Sequence, residues 1–269
     1  MKNLEQYRGC LIGGAAGDAL GYAVEFPGTD AAVKKYGKNG ITNCKLHNGI
    51  APISSVTQMM LFTANGLLLG TTRGMTRGIM GPYPAYIAAC YKDWLQTQSA
   101  AYPLRTRSPY SWLVNKPELF ARRDPGNTCI SAIINGADGT IDDPMNQSKG
   151  CGGMVRVAPI GLYLGGRRYE SDKIDMIGAE TAALTHGHEL GYIPAAAFVH
   201  MLIAAVNHSG ASSSTGAVTG SIMGTYLGYS SIPDKYIENL ELKNVILELA
   251  DDLYHDCIWN KAWLCAKGG

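Results

Sequence analysis

Residues Gly9 to Glu25 read GCLIGGAAGDALGYAVE, and their glycines, Gly9, Gly13, Gly17 and Gly21, stand four apart. On an α-helix that spacing puts all four on one face. Each interior glycine costs roughly 1 kcal/mol relative to alanine, so a helix that carries several needs a compensating contact, most simply another backbone at close range. The same pattern returns in TGAVTGSIMGTYLG, where Gly216, Gly220, Gly224 and Gly228 repeat the spacing. Two flat faces of this kind predict two helices packed tightly at the centre of a compact all-α domain. In a lipid bilayer the pattern would mark a helix dimer, but Asp18 and the serines and threonines of the second segment argue against a membrane setting.

Outward from these ridges the chain keeps helical periodicity and lacks convincing alternating strands. Thr57 to Leu69 is apolar and follows Ser54-Ser55, both good N-cap residues. Pro194 is expected near the start of a helix that runs through Val206. Leu240 to His255 alternates charged and apolar faces as a surface helix does. Two irregular stretches lie between: one from Ala100 to Asn127 with four prolines, the other from Gly136 to Gly153 with Gly150-Cys151-Gly152-Gly153. Long loops in a compact domain tend to be functional. No linker divides the chain, so one domain is expected over 1–257, followed by a tail, 258–269, that carries Trp259 and Trp263.

Composition narrows the function. Of the 269 residues, 23 are Lys or Arg and 22 are Asp or Glu, a net charge of +1, with no basic run to hold a nucleic acid. Nucleic acid and membrane are therefore not expected partners. Charged residues make up 17% of the chain, below the usual quarter or so. The seven cysteines include no Cys-x-x-Cys pair, so neither a zinc site nor a disulfide framework is indicated. Most are read as small core residues in a reducing cytoplasm.

Three segments stand out chemically. Ser54-Ser55-Val56-Thr57 and Ser212-Ser213-Ser214-Thr215 each precede a helical run. Hydroxyls and unpaired N–H groups at such a place bind phosphate, although helix capping is the simpler account from spacing alone. In Lys149 to Met154 the glycines let backbone amides approach a ligand, and turns need glycine as well.

Six blocks, GGAAGDALGYAVEF (13–26), TQMMLFTANGLL (57–68), PGNTC (125–129), SKGCGGMVRVAPIGL (148–162), THGHELGYIPAAA (185–197) and AVNHSGASSSTGAV (205–218), resemble ADP-ribosylglycohydrolases in order and spacing. The resemblance implies a compact all-α domain that removes ADP-ribose from modified side chains, using two Mg²⁺ or Mn²⁺ ions. It implies that Gly150, Gly152, Gly153 and Met154 contact the diphosphate and adjoining ribose, that His186 contacts ribose, and that Glu25 lies near the metals. His188 stands either on the ribose side or in a helix-capping turn, and for Asp18 an internal structural role is the better reading.

The departures are as informative as the match. The metal-holding aspartates of the family fall at Ser55, Val56, Ala211 and Ser213, leaving the neutral oxygens of Ser54 and Ser214, with Thr57 nearby. Hard cations need charged oxygen ligands, so no dinuclear site and no metal cofactor are expected. Freed of aspartates, the helix starts at Ser54 and Ser214 are expected to admit ribose or phosphate directly. Three functions follow from the resemblance. One is a pseudohydrolase that binds ADP-ribose or ADP-ribosylated protein. Another is a metal-independent hydrolase with Glu25 as general base. The third is a scaffold that neutralises an ADP-ribosyltransferase. The first is preferred, because the glycine loop and His186 persist where the metal residues do not.

Overall fold

The computed structural model describes residues 3–23, 41–105, 108–165, 167, 169–201 and 212–255, with the backbone alone at 201 and 212–215. Helix α1 spans Leu4–Tyr22, and Asn3 caps it by accepting from the Glu5 amide at 3.0 Å. Then come α2 (Ser55–Arg77), α3 (Tyr83–Thr97), α4 (Asn127–Ile134), α5 (Ala158–Gly165) and α6 (Ser171–Ala183). They are followed by α7 (Glu189–Met201), α8 (Ser212–Leu227), α9 (Asp234–Ile237) and α10 (Lys243–His255). Among the described residues β-structure is confined to two isolated bridges, His47 to Ile50 and Ala51 to Leu240, so the fold is all-α. No helix among these residues is long and apolar enough to cross a membrane.

The two glycine ridges face each other. Gly9 lies against Gly224, Gly13 against Gly220 and Gly17 against Gly216, so α1 and α8 run antiparallel at near backbone contact. A Cβ on Gly13 would stand 2.2 Å from the Gly220 carbonyl oxygen, and one on Gly17 would stand 1.9 Å from that of Gly216. These carbonyls belong to helix backbone and have nowhere to go, which is why the sequence accepts the helix-propensity cost of glycine here. Gly228 falls just past the end of α8 with φ +85°, a conformation that side-chain-bearing residues avoid, and so stops the helix while its backbone still lies against Gly9.

Around this pair, α10 packs on α1, and α2 runs antiparallel to α3, with Gly66 against Ile87 and Gly70 against Tyr83. The largest fully buried aromatic side chains, Trp94, Tyr91, Tyr163 and Phe62, come from α2, α3 and α5. Three sequence expectations shift. The Ser55–Arg77 helix runs eight residues past Leu69, where the apolar run that signals it ends, and stops at Gly78 with φ +68°. The C-terminal helix starts at Lys243 instead of Leu240, since Leu240 is engaged in the bridge with Ala51. Pro194 lies inside α7, which begins five residues earlier at Glu189. The missing proline N–H deprives the Leu190 carbonyl of its helical donor, and Leu190 is 61% exposed, so water can serve instead. The stretch from Ala100 to Asn127 is irregular apart from two 3₁₀ turns, Trp112–Asn115 and Pro117–Leu119, which drive Trp112, Leu113 and Leu119 into the core. Asp93 anchors it by accepting from the Tyr110 and Ser111 amides at 2.6 and 2.7 Å. Residues 258–269 and the latter part of the Pro194 helix fall outside the described residues.

Candidate functional site

A cleft of about 460 Å³ opens where the start of α2, the start of α4, the Gly150–Gly152 turn and His186 converge. Tyr22, at the end of α1, lines it too. Thus Ser54, Ser55, Val56, Gly150, Gly152 and His186, far apart in sequence, share one wall-to-wall space. Gly153 and Met154 do not line it. Gly153 is buried against α6 and α7, where a Cβ would meet Ala182 Cβ at 2.9 Å, and Met154 packs against the core. Glu25 and Ala211 lie outside the described residues. Ser213 and Ser214 belong to the first turn of α8.

Asp18 organises the start of α2. Fully buried on α1, its carboxylate accepts from the Ser54 hydroxyl (2.6 Å), the Ser54 amide (2.9 Å), the Thr57 hydroxyl (2.6 Å) and the Thr57 amide (3.2 Å). Burial pushes its pKa up to about 6, and these four hydrogen bonds limit the rise. The remaining donors of that helix end are also taken. Ser55 N–H donates to the Arg123 carbonyl at 2.8 Å, Val56 N–H to Ser54 Oγ at 3.1 Å and Gln58 N–H to the Ser54 carbonyl at 3.3 Å. The expectation that this helix start offers free amides to an anion is therefore not met. Asp18 already supplies the negative charge that the helix dipole favours there, and the single hydroxyl proton of Ser54 goes to it.

Nor do these groups suit a divalent cation. Ser55 Oγ donates to the Asp124 carbonyl at 3.3 Å, Val56 presents alkyl carbon, and Ser54 is 4% exposed and doubly bonded. Mg²⁺ and Mn²⁺ take shells of charged or carbonyl oxygens, and the side chains of Ser55 and Val56 offer neither. Among the described residues no three of His, Cys, Asp or Glu come together as a metal site.

On the opposite wall, His186 is 2% exposed and its pKa falls to about 3, chiefly because burial opposes the imidazolium and secondly because Arg156 is near. The ring is neutral at pH 7. Its Nδ1 lies 2.8 Å from Thr185 Oγ1, which also accepts from Arg156 at 2.8 Å. The glycine turn closes over this ring. Side chains at Gly150 and Gly152 would stand 3.3 and 3.1 Å from the imidazole, a tight contact, so packing against His186 favours glycine there whatever these residues contact in the cleft. His188 Nδ1 accepts from the Leu190 amide at 3.0 Å, which makes it a cap of α7.

Sequence reading overlooked two charged groups here. Arg156 is fully buried at the cleft floor, donating to the Thr181 carbonyl at 3.0 Å and to Thr185, with its guanidinium 4.6 Å from the centre of the Tyr91 ring. A lone arginine in the apolar run MVRVAP was the available signal. Asp124 is the one described carboxylate lining the cleft. It is exposed, adopts φ +49° and accepts from the Tyr22 hydroxyl, a pairing that nothing in either local sequence announces.

An all-helical domain built on a glycine seam, with a cleft at helix starts beside a glycine turn, defines the class. A family model described as ADP-ribosylglycohydrolase matches residues 1–205 and 197–262, and the chain belongs to that family. The second matched segment runs five residues past the expected domain end at 257. The fold is similar to a solved structure titled "ADP-ribosylglycohydrolase-related protein complex", with a TM-score of 0.57 and 17% sequence identity over 94% of this chain and 98% of the other. No curated protein matches the chain.

Proposed function

We propose that this protein binds ADP-ribose, free or attached to a protein, in the 460 Å³ cleft without a dinuclear metal centre, and that efficient hydrolysis has been lost. The observation that carries the reading is the start of α2. Where the family resemblance puts half of the metal carboxylates, the cleft wall presents Ser55 and Val56, and the neighbouring donors are committed to Asp18 and Arg123. The opposite wall keeps the glycine turn and a neutral, buried His186 whose environment is complete. A ligand wall retained beside a metal wall without carboxylates suits binding better than turnover.

Calorimetric titration with ADP-ribose, with and without Mg²⁺, tests the proposal, together with an assay for ADP-ribose release from ADP-ribosyl-arginine. Binding of equal strength in both titrations and no release are expected; Mg²⁺-dependent binding or release would overturn it. Asp124 favours a second reading, metal-independent hydrolysis, because it brings a carboxylate to the cleft. General base catalysis alone contributes roughly 10²- to 10⁴-fold, so such an enzyme would be slow. Release that survives EDTA and disappears in Asp124→Asn or Glu25→Gln would establish it.

A further inference from the structure

The irregular stretch that supplies the glycine turn also walls a second and larger space. A pocket of about 680 Å³ lies between α3, the C-terminal part of α6 and residues 136–142, and it shares no lining residue with the cleft. Helix α4 separates the two. Its first residues line the cleft, and eight residues on, about 12 Å along the axis, it gives way to Gly136 on the pocket wall. Pro84, Ala85, Ala88, Ala137, Met176 and Leu184 give the pocket an apolar lining.

Its charge runs against that of the whole chain. Asp138, Asp142 and Glu180 line the pocket with Lys92 as the one basic residue on its walls, three negative against one positive, a net −2 where the chain carries +1. None of the three carboxylates has a hydrogen-bond donor or an ion pair among the described residues. Asp138 and Asp142 are exposed, so water serves them. Glu180 is partly buried, four residues from both Met176 and Leu184 and so on their face of α6. Burial pushes its pKa up, and no neighbouring charge, that of Lys92 included, offsets the rise. In addition, α4 and α6 end at the pocket and α3 begins there, so two negative helix ends meet one positive end.

We infer that this pocket is a second binding site, for a linear aliphatic polyamine. The chemistry of such a ligand matches both components of the walls: ammonium groups for the carboxylates of Glu180, Asp138 and Asp142, and methylene spacers for the alanine, methionine and leucine side chains. A compact metal ion would leave the apolar surface uncovered, and the described residues hold no cluster that would bind one. An uncharged apolar ligand would seal Glu180 further from water and leave it without a partner. The site lies outside the ADP-ribose cleft and stands or falls independently of it.

Spermidine is the probe, titrated into the intact protein by calorimetry at low salt, with thermal melting alongside. Glu180→Gln is the key variant. It keeps the shape of the side chain and removes a desolvated charge, so its melting temperature is expected at or above that of the wild type. Spermidine binding is expected to weaken at least about tenfold, the scale of one charge-assisted hydrogen bond. Ala85→Arg tests the same space from the opposite wall. Ala85 is exposed on α3, and an arginine there fills the pocket and repels a cation, so loss of binding is expected with folding intact. Wild-type protein that takes up no spermidine at about 5 mM, weaker than any affinity of use to a cell, overturns the site. So does Glu180→Gln or Ala85→Arg that binds it undiminished. Mg²⁺ that displaces spermidine at equal concentration also overturns it, because charge alone would then be read and the apolar wall would contribute nothing.

Discussion

His186 and Asp18 are both buried beside the cleft, and burial moves their proton equilibria so that they act oppositely on stability. The folded chain refuses a proton at His186 until about pH 3, whereas the unfolded chain accepts one near 6.5. Stability contributed by this group is therefore present above 6.5 and drains away as the pH falls toward 3. Asp18 holds its proton up to about pH 6 when folded and gives it up near 3.8 when unfolded. Its contribution is greatest at low pH and declines as the pH rises through that window. The hydrogen bonds from Ser54 and Thr57 keep the decline smaller than burial alone would make it. Two outcomes are expected. In an NMR titration the His186 ring resonances stay fixed from pH 8 to about 4.5. In urea unfolding, His186→Gln loses less stability between pH 6.5 and 4.5 than the wild type does. Ser54→Ala removes both an N-cap and one of the partners of Asp18, and is expected to cost about 1–2 kcal/mol, read as a lower urea midpoint with an unchanged slope.

Among the elements, the α1–α8 seam and the α2–α4 cleft differ in how far sequence betrays them. Steric exclusion along a helix leaves a fixed period, so Gly9, Gly13 and Gly17 and their partners Gly224, Gly220 and Gly216 could be found without knowing that they touch. The cleft rests on pairings with no period. Asp18 meets Ser54 and Thr57 from another helix, Arg156 meets Thr181 and Thr185, and Tyr22 meets Asp124. Ser54 was legible as a cap, but not the occupation of the Ser55 amide by the Arg123 carbonyl, which comes from an irregular segment. The seam yields a direct test in which two effects compete. Gly13→Ala gains up to about 1 kcal/mol of helix propensity, yet its Cβ would sit 2.2 Å from a backbone oxygen, and overpacking of that order costs about 1–3 kcal/mol or more. Net destabilisation is expected at Gly13 and at Gly220. Gly74→Ala on α2, whose Cβ meets only the side chain of Met80 at 3.2 Å, is expected to be neutral or mildly stabilising. Chemical denaturation of the three variants separates these outcomes.

For the molecule as a whole, the near balance of 23 basic and 22 acidic residues depends on what occupies the cleft walls. Placing aspartate at Ser55, Val56, Ala211 and Ser213 together would change the net charge from +1 to −3, four added carboxylates, and concentrate the change at one place. That variant is expected to gain Mn²⁺ binding measurable by calorimetry where the wild type shows none, and to lose affinity for anions in the same cleft. The glycine seam has a further consequence, in time instead of space. α1 leaves the ribosome about 190 residues before α8 begins, so the flat face of α1 waits through the synthesis of the six helices between them for the backbone that covers it. A nascent chain holding α1 through α7 is complete in sequence for seven helices and still lacks the surface that orders the first. Folding is thus tied to the arrival of residues 212–227, and a chain released before them is expected to stay expanded and in need of a chaperone.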